Sequence, residues 1–289
     1  MNDRSMAGKV CAITGPTAGI GRATALALGR KGAKLLLLCR NVEKGSALSQ
    51  ELKAIGAESE VVEVNLASLN SVARAADRVS RRAPQLDVLI NNAGLLNLSR
   101  RESLDGLEEM FAVNHLAHFL LTNRLLHNLR AAPTARIIHV GSVAHAFVNG
   151  FDFEDYGWHT RGWSTMRAYG HSKLANLLFN RSLSLRLGTT GGVISNALHP
   201  GTVATHIAGN NGWYARLGMT LIRPFLLSPE KGAETSIYLA SADAAAAYRG
   251  AYFVKCRPVR PKPWAEDDAA AERLWGLSAA LLAERQLAL

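Results

Sequence analysis

The sequence of 289 residues predicts an α/β protein built on a single doubly wound parallel sheet of about seven strands with helices on both faces. Three observations carry that expectation. Short apolar runs alternate with helix-length segments along the chain. The runs are rich in Val, Ile and Leu and lack a polar–apolar alternation, as strands covered on both faces do. A glycine-rich turn, Thr14-Gly15-Pro16-Thr17-Ala18-Gly19-Ile20-Gly21, joins the first run to the first helical segment.

In chain order, strands are expected at 9–14, 33–39, 60–64, 87–91, 136–140, 193–198 and 251–254. Helices are expected at about 20–31, 43–55, 68–82, 104–129, 165–187 and 229–241. Two segments break the rhythm. Residues 143–163 concentrate Phe147, Phe151, Phe153, Tyr156, Trp158 and Trp163, and residues 202–228 are apolar without a clean strand. Both are expected to wall an apolar pocket, the second as a lid. Neither an internal repeat nor a linker divides the chain, so residues 1–255 are expected to form one catalytic domain, with 256–289 as an extension on or beside it.

Hydrophobic residues make up 48% and charged residues 19%, a balance that excludes a disordered chain. Purely aliphatic stretches such as Leu35–Leu38 are far short of the roughly 20 residues that cross a bilayer. The start has no apolar core of a secretory signal, and Cys11, Cys39 and Cys256 are odd in number and widely spaced. Reduced thiols and a cytoplasmic setting are therefore expected, with no transmembrane anchor. The net charge of +10 comes from basic residues scattered as singles and pairs, which favours a solvated basic surface over a nucleic-acid partner.

Glycines at 15, 19 and 21 permit a tight turn and a close approach to a pyrophosphate, which the N–H groups of the following helix then face. Placed after the first strand, that turn points to a dinucleotide. A carboxylate about 20 residues on would select NAD through the ribose hydroxyls. Here Arg40 stands there, 19 residues after Gly21, followed by Asn41. A guanidinium grips a 2′-phosphate that a carboxylate repels, so NADP(H) is expected.

Tyr169 and Lys173 lie four apart in Ala168-Tyr169-Gly170-His171-Ser172-Lys173, on one face of an expected helix. Tyrosine, with an ordinary pKa of about 10, is a poor base at neutral pH. A neighbouring ammonium lowers that value and suits the phenol to exchanging a proton with an alcohol or carbonyl oxygen. Ser142 ends the strand Ile137-Ile138-His139-Val140-Gly141-Ser142, where open α/β sheets bind ligands, and could hold the reacting oxygen.

Taken together, the glycine turn, Asn91-Asn92-Ala93-Gly94, Asn114, Ser142, Tyr169/Lys173 and His199-Pro200-Gly201 resemble the short-chain dehydrogenase/reductase family, a Rossmann-fold family. Cys39-Arg40-Asn41, the segment from Val113-Asn114-His115 to Leu121-Thr122, and Ser172-Lys173-Leu174-Ala175-Asn176 are most similar to its retinol dehydrogenase-like branch. That resemblance implies hydride transfer between nicotinamide and a lipophilic alcohol, aldehyde or ketone. Catalytic roles would fall to Tyr169 as general acid/base, Lys173 on the nicotinamide ribose, Ser142 on the substrate oxygen and Asn114 on a proton-relaying water. The cofactor would be held by Gly15, Thr17, Gly19, Ile20, Gly21, Arg40, Asn41, Asn65, Leu66, Asn92, Ala93 and Gly94. Tyr169, Lys173, Pro200, Gly201, Val203 and Thr205 would hold its nicotinamide end.

Asn65 departs from the pattern, standing where the family has an Asp that bonds the adenine amine, and Pro16 removes one N–H from the turn. No metal is expected: His115 and His118 are three apart but lack an accompanying ligand. A non-catalytic NADPH-binding sensor or scaffold on the same fold is the alternative function. Homo-oligomerisation and a weak membrane-surface contact through 221–227 are further possibilities.

Overall fold

The computed structural model describes residues 3–201 and 227–287. Val203, Thr205 and most of the expected 202–228 lid lie outside them. Eight strands form one sheet among the described residues: β1 (Val10–Thr14), β2 (Lys34–Cys39), β3 (Ser59–Glu63), β4 (Val88–Asn91), β5 (Ala135–Val140), β6 (Val193–His199), β7 (Tyr252–Val254) and β8 (Arg257–Val259). Their order is β3-β2-β1-β4-β5-β6-β7-β8. Every neighbouring pair is parallel except β7 and β8.

The eighth strand carries no strand signal. It reads Arg-Pro-Val, is exposed, and lies at the sheet edge, where a proline forfeits no ladder bond. Lys255 and Cys256, both with positive φ (51° and 60°), turn the chain between β7 and β8. That is the backbone of a tight hairpin without the Asn-Gly that would announce one.

The helices are α1 (Gly19–Arg30), α2 (Val42–Ala54), α3 (Leu69–Arg82), α4 (Glu109–Phe111), α5 (Ala117–Arg124), α6 (Leu126–Ala131), α7 (Thr165–Leu187), α8 (Pro229–Ser241) and α9 (Asp268–Ala283). Several starts follow from capping chemistry: Asn41, Ser68, Ser228 and Asp267 accept backbone N–H bonds from the first turns of α2, α3, α8 and α9. The segment expected as one helix over 104–129 is broken. Glu108 starts it by accepting from the N–H groups of Met110 and Phe111. A π turn over Ala112–Leu116 then separates α4 from α5.

Alternate residues along each central strand feed two separate cores. Cys11, Ile13, Leu35, Leu37, Ile90, Ile138 and Leu198 pack on one face with Ala25, Leu28, Leu48 and Leu239 from α1, α2 and α8. Ala12, Leu36, Leu38, Leu89, Ile137 and Ala197 pack on the other with α3, α5, α7 and α9. On that second face Trp275 of α9 meets Phe119 and Phe179 at ring-centroid distances of 4.9 and 5.9 Å. The first three strands run outward from β1 to β3, and β4 returns to the other side of β1. That reversal opens a crevice at the C-terminal ends of β1 and β4, where such sheets take ligands.

Candidate active site

The crevice is floored by the glycine turn. Gly15 and Gly19 adopt positive φ (64° and 53°), and a Cβ on Gly21 would overlap the Gly15 carbonyl and the Asn92 amide. Ala18 precedes α1 without a side-chain cap, so the N–H groups of the first turn face the crevice unpaired by a side chain. That combination suits a diphosphate. Thr14 holds the turn: its hydroxyl oxygen accepts the N–H groups of Asn92 and Ala93, both at 3.0 Å. The Asn92 amide donates to the carbonyls of Thr14 and Gly15 at 2.8 and 3.2 Å. Asn92 therefore braces the loop that would carry a nucleotide.

Two recesses share this floor. One, of about 430 Å³, brings together Gly19, Ile20 and Gly21 with Ser142, Tyr169, Lys173, Pro200 and Gly201. Its outer wall is Val143, Ala144, Phe147 and Met166. The other, of about 290 Å³, is lined by Thr17, Arg40, Asn41, Asn65, Leu66, Ala93 and Gly94 among others. Gly15, Ala93 and Gly94 line both, so the two form one trough. Its uncapped helix end and glycine floor fit a nicotinamide adenine dinucleotide, and Arg40 flanks it.

Tyr169 and Lys173 lie one turn apart on α7, and Ser142 follows the end of β5. Burial pushes the Tyr169 phenol up to about 12, with a hydrogen bond from Ser142 opposing the rise. Burial also lowers Lys173 to about 8. The Lys173 ammonium donates to the Val140 carbonyl at 3.0 Å and lies 5.6 Å from the centre of the tyrosine ring. Burial therefore sets the phenol's value here, and the opposing effect comes from Ser142 rather than from that ammonium. Ser142 also accepts the Ala144 N–H, starting the short 3₁₀ turn Val143–Phe147.

Asn114 does not line the recess. It is fully buried within the π turn, and its amide clamps the Leu95 backbone and the Ser172 hydroxyl. The oxygen accepts the Leu95 N–H at 2.8 Å, while the nitrogen donates to the Leu95 carbonyl and to the Ser172 hydroxyl. Ser172 in turn donates to the Tyr169 carbonyl at 2.8 Å. Asn114 thus reaches the Tyr169 region through a neighbour and the backbone. The π turn gives it that reach by shifting the helix register at one point.

The sequence reading missed several residues. Lys44 joins Arg40 in the second recess, one turn into α2 from the Asn41 cap. Neither cation makes an ion pair among the described residues. A four-residue spacing from a strand-end arginine was the available signal. His118, set aside as a metal candidate, is a buried bridge. Its Nδ1 bonds the Asn114 carbonyl at 3.1 Å and its Nε2 the Thr14 hydroxyl at 3.0 Å. Burial lowers its pKa to about 4, so the ring is neutral. The carbonyl can only accept, so Nδ1 carries the proton and Thr14 donates to Nε2.

The aromatic segment mostly packs elsewhere than the recess. Phe147 lines it, whereas Phe151 and Tyr156 stack on Phe111 at 6.0 and 5.3 Å. Trp158, at φ 57°, is held under the Arg161 guanidinium at 3.8 Å, and Asp155 accepts the following N–H groups of His159, Thr160 and Arg161. Large rings gain more by burial against α4 and the π turn than by facing an open cleft.

An α/β fold with a dinucleotide crevice at its strand ends and a Ser–Tyr–Lys cluster beside it defines a class of nicotinamide-linked oxidoreductases. The chain belongs to the short chain dehydrogenase family, whose profile matches residues 9–213. It is 40% identical over 282 residues to retinol dehydrogenase 13 of Homo sapiens, covering 95% of this chain and 85% of that one. It is 40% identical to retinol dehydrogenase 12 of Mus musculus, with 95% and 86% covered. A crystal structure of a protein from Mycobacterium paratuberculosis superposes with a TM-score of 0.77 at 34% identity, covering 96% of this chain and 94% of that one. Pseudomonas aeruginosa RhlG, solved as a complex with NADP, superposes with a TM-score of 0.69 at 27% identity, with 88% and 96% covered. The protein is a retinol dehydrogenase-like oxidoreductase of this family. No helix among the described residues is long and apolar enough to cross a membrane.

Proposed function

We propose that the protein is an NADP(H)-dependent oxidoreductase that interconverts a lipophilic alcohol and its aldehyde or ketone, with Tyr169 as general acid/base. The observation that carries this reading is the shared recess: Ser142, Tyr169 and Lys173 meet the glycine turn there under an apolar wall of Val143, Phe147 and Met166. The names of the curated relatives and the NADP in the RhlG complex point the same way.

Bound NADP(H) supplies the hydride from its nicotinamide ring. Tyr169 is a neutral phenol at pH 7, since burial holds it near 12. It is therefore poised to donate a proton to the oxygen of a carbonyl being reduced. Ser142 orients that oxygen alongside the phenol. Lys173, lowered to about 8, is still mostly cationic at pH 7 and offers positive charge near the phenolate that reduction leaves behind. The apolar wall excludes water and holds the hydrocarbon part of the substrate.

Arg40, with Lys44 beside it, would grip the 2′-phosphate. Arg40→Asp is expected to raise the KM for NADPH about 100-fold and leave that for NADH equal or lower, measured by absorbance over a panel of lipophilic aldehydes and ketones. An unchanged NADPH/NADH ratio would refute the cofactor assignment. Tight NADPH binding without turnover on any member of the panel would favour a sensor or scaffold.

A further inference from the structure

The second recess contains an acceptor that the sequence pattern did not point to. We infer that Glu109 reads the 6-amino group of the cofactor's adenine, in place of the acidic residue that Asn65 replaces. This rests on the NADP(H) reading and names a contact within that same site.

Glu109 opens α4 and lines the 290 Å³ recess that Arg40 also lines. Val113, one helical turn further on, lines it too, and with Val64 and Leu66 forms apolar walls for a flat ring. The fully buried Asn97 donates its amide to Glu109 Oε2 at 2.8 Å. That bond fixes the carboxylate plane, and Oε1 has no partner among the described residues. Asn65 is less available. Its side-chain oxygen accepts the Ala67 N–H at 3.1 Å in a local turn, and its amide N–H groups cannot pair with an exocyclic amine, which donates. The carboxylate Oε1 is thus the strongest free acceptor in a recess whose walls suit a purine.

The test changes the ring edge that Glu109 would face. Dissociation constants are measured by nucleotide fluorescence, without turnover, for NADPH and for its hypoxanthine counterpart, in which a 6-oxo group replaces the amine. The wild type is expected to favour adenine about tenfold, since a charged acceptor gains the amine and repels the oxo group. Glu109→Ala should bring the ratio near one. Glu109→Gln, whose amide can donate to the oxo group, should bring it to one or invert it. Asn65→Ala should keep the wild-type preference. A merely structural role for Glu109 would weaken both nucleotides alike and leave the ratio unchanged. A wild-type ratio of one, or a ratio that survives both Glu109 variants while NADPH still binds, overturns the inference alone. A wild type that binds neither nucleotide overturns the cofactor reading with it.

Discussion

His118 shows how a single residue can join two parts of a site. Its ring ties Thr14, which holds the glycine turn, to the backbone of Asn114, whose amide is linked through Ser172 to the Tyr169 carbonyl. His118→Phe keeps the volume and removes both bonds. Displacement of a catalytic group by about 1 Å can cost on the order of 100-fold, so kcat/KM should fall roughly 10- to 100-fold. His118→Gln can still accept from Thr14 and should keep the KM for NADPH near that of the wild type while kcat drops. Steady-state kinetics on both variants check this, and equal losses in kcat and cofactor KM for Gln would contradict it. Residues of this kind are hard to see in a sequence, where a histidine three residues from another reads first as a metal ligand.

At the scale of elements, the strands and long helices were legible because apolar runs and capping residues announce them. The glycine turn was legible for a related reason: only glycine tolerates its positive φ and close approaches. Gly21→Ala is therefore expected to destabilise the fold by about 1–3 kcal/mol and to weaken NADPH binding at least tenfold, checked by thermal unfolding and fluorescence titration. The π turn at Ala112–Leu116 was not legible, since helical periodicity continues through it and only the hydrogen-bond pattern changes. Nor was β8, an exposed Arg-Pro-Val whose pairing depends on the hairpin backbone rather than on side-chain pattern. Of the aromatic segment only Phe147 lines the recess among the described residues, because composition reports that rings will be buried without saying against what.

Across the whole molecule, the buried histidines set the response to acid. Burial lowers His115 and His139 to about 3 and His118 to about 4, against about 6.5 in the unfolded chain. The native state takes up fewer protons than the unfolded chain between those values. Their stabilisation is thus complete above pH 6.5 and is lost progressively as pH falls toward 3. Glu108 opposes them, because burial raises its carboxyl to about 7 and makes it favour lower pH. His171 and His199, lowered to about 4 by burial, act with these three, so the histidines outweigh Glu108 and stability falls between pH 6 and 5, to be measured by denaturant unfolding. A midpoint that stays constant over that interval would show these imidazoles to be solvated. The same whole-molecule geometry, two halves of a sheet parting at β1 and β4, brings the glycine turn to Tyr169, and the enzyme assignment depends on that meeting. Its most direct test is single-turnover reduction of a lipophilic aldehyde by wild type and Tyr169→Phe, with NADPH affinity measured in parallel. A 10²- to 10⁴-fold fall in rate with unchanged NADPH affinity is predicted; a variant that reduces the aldehyde at the wild-type rate would contradict the account.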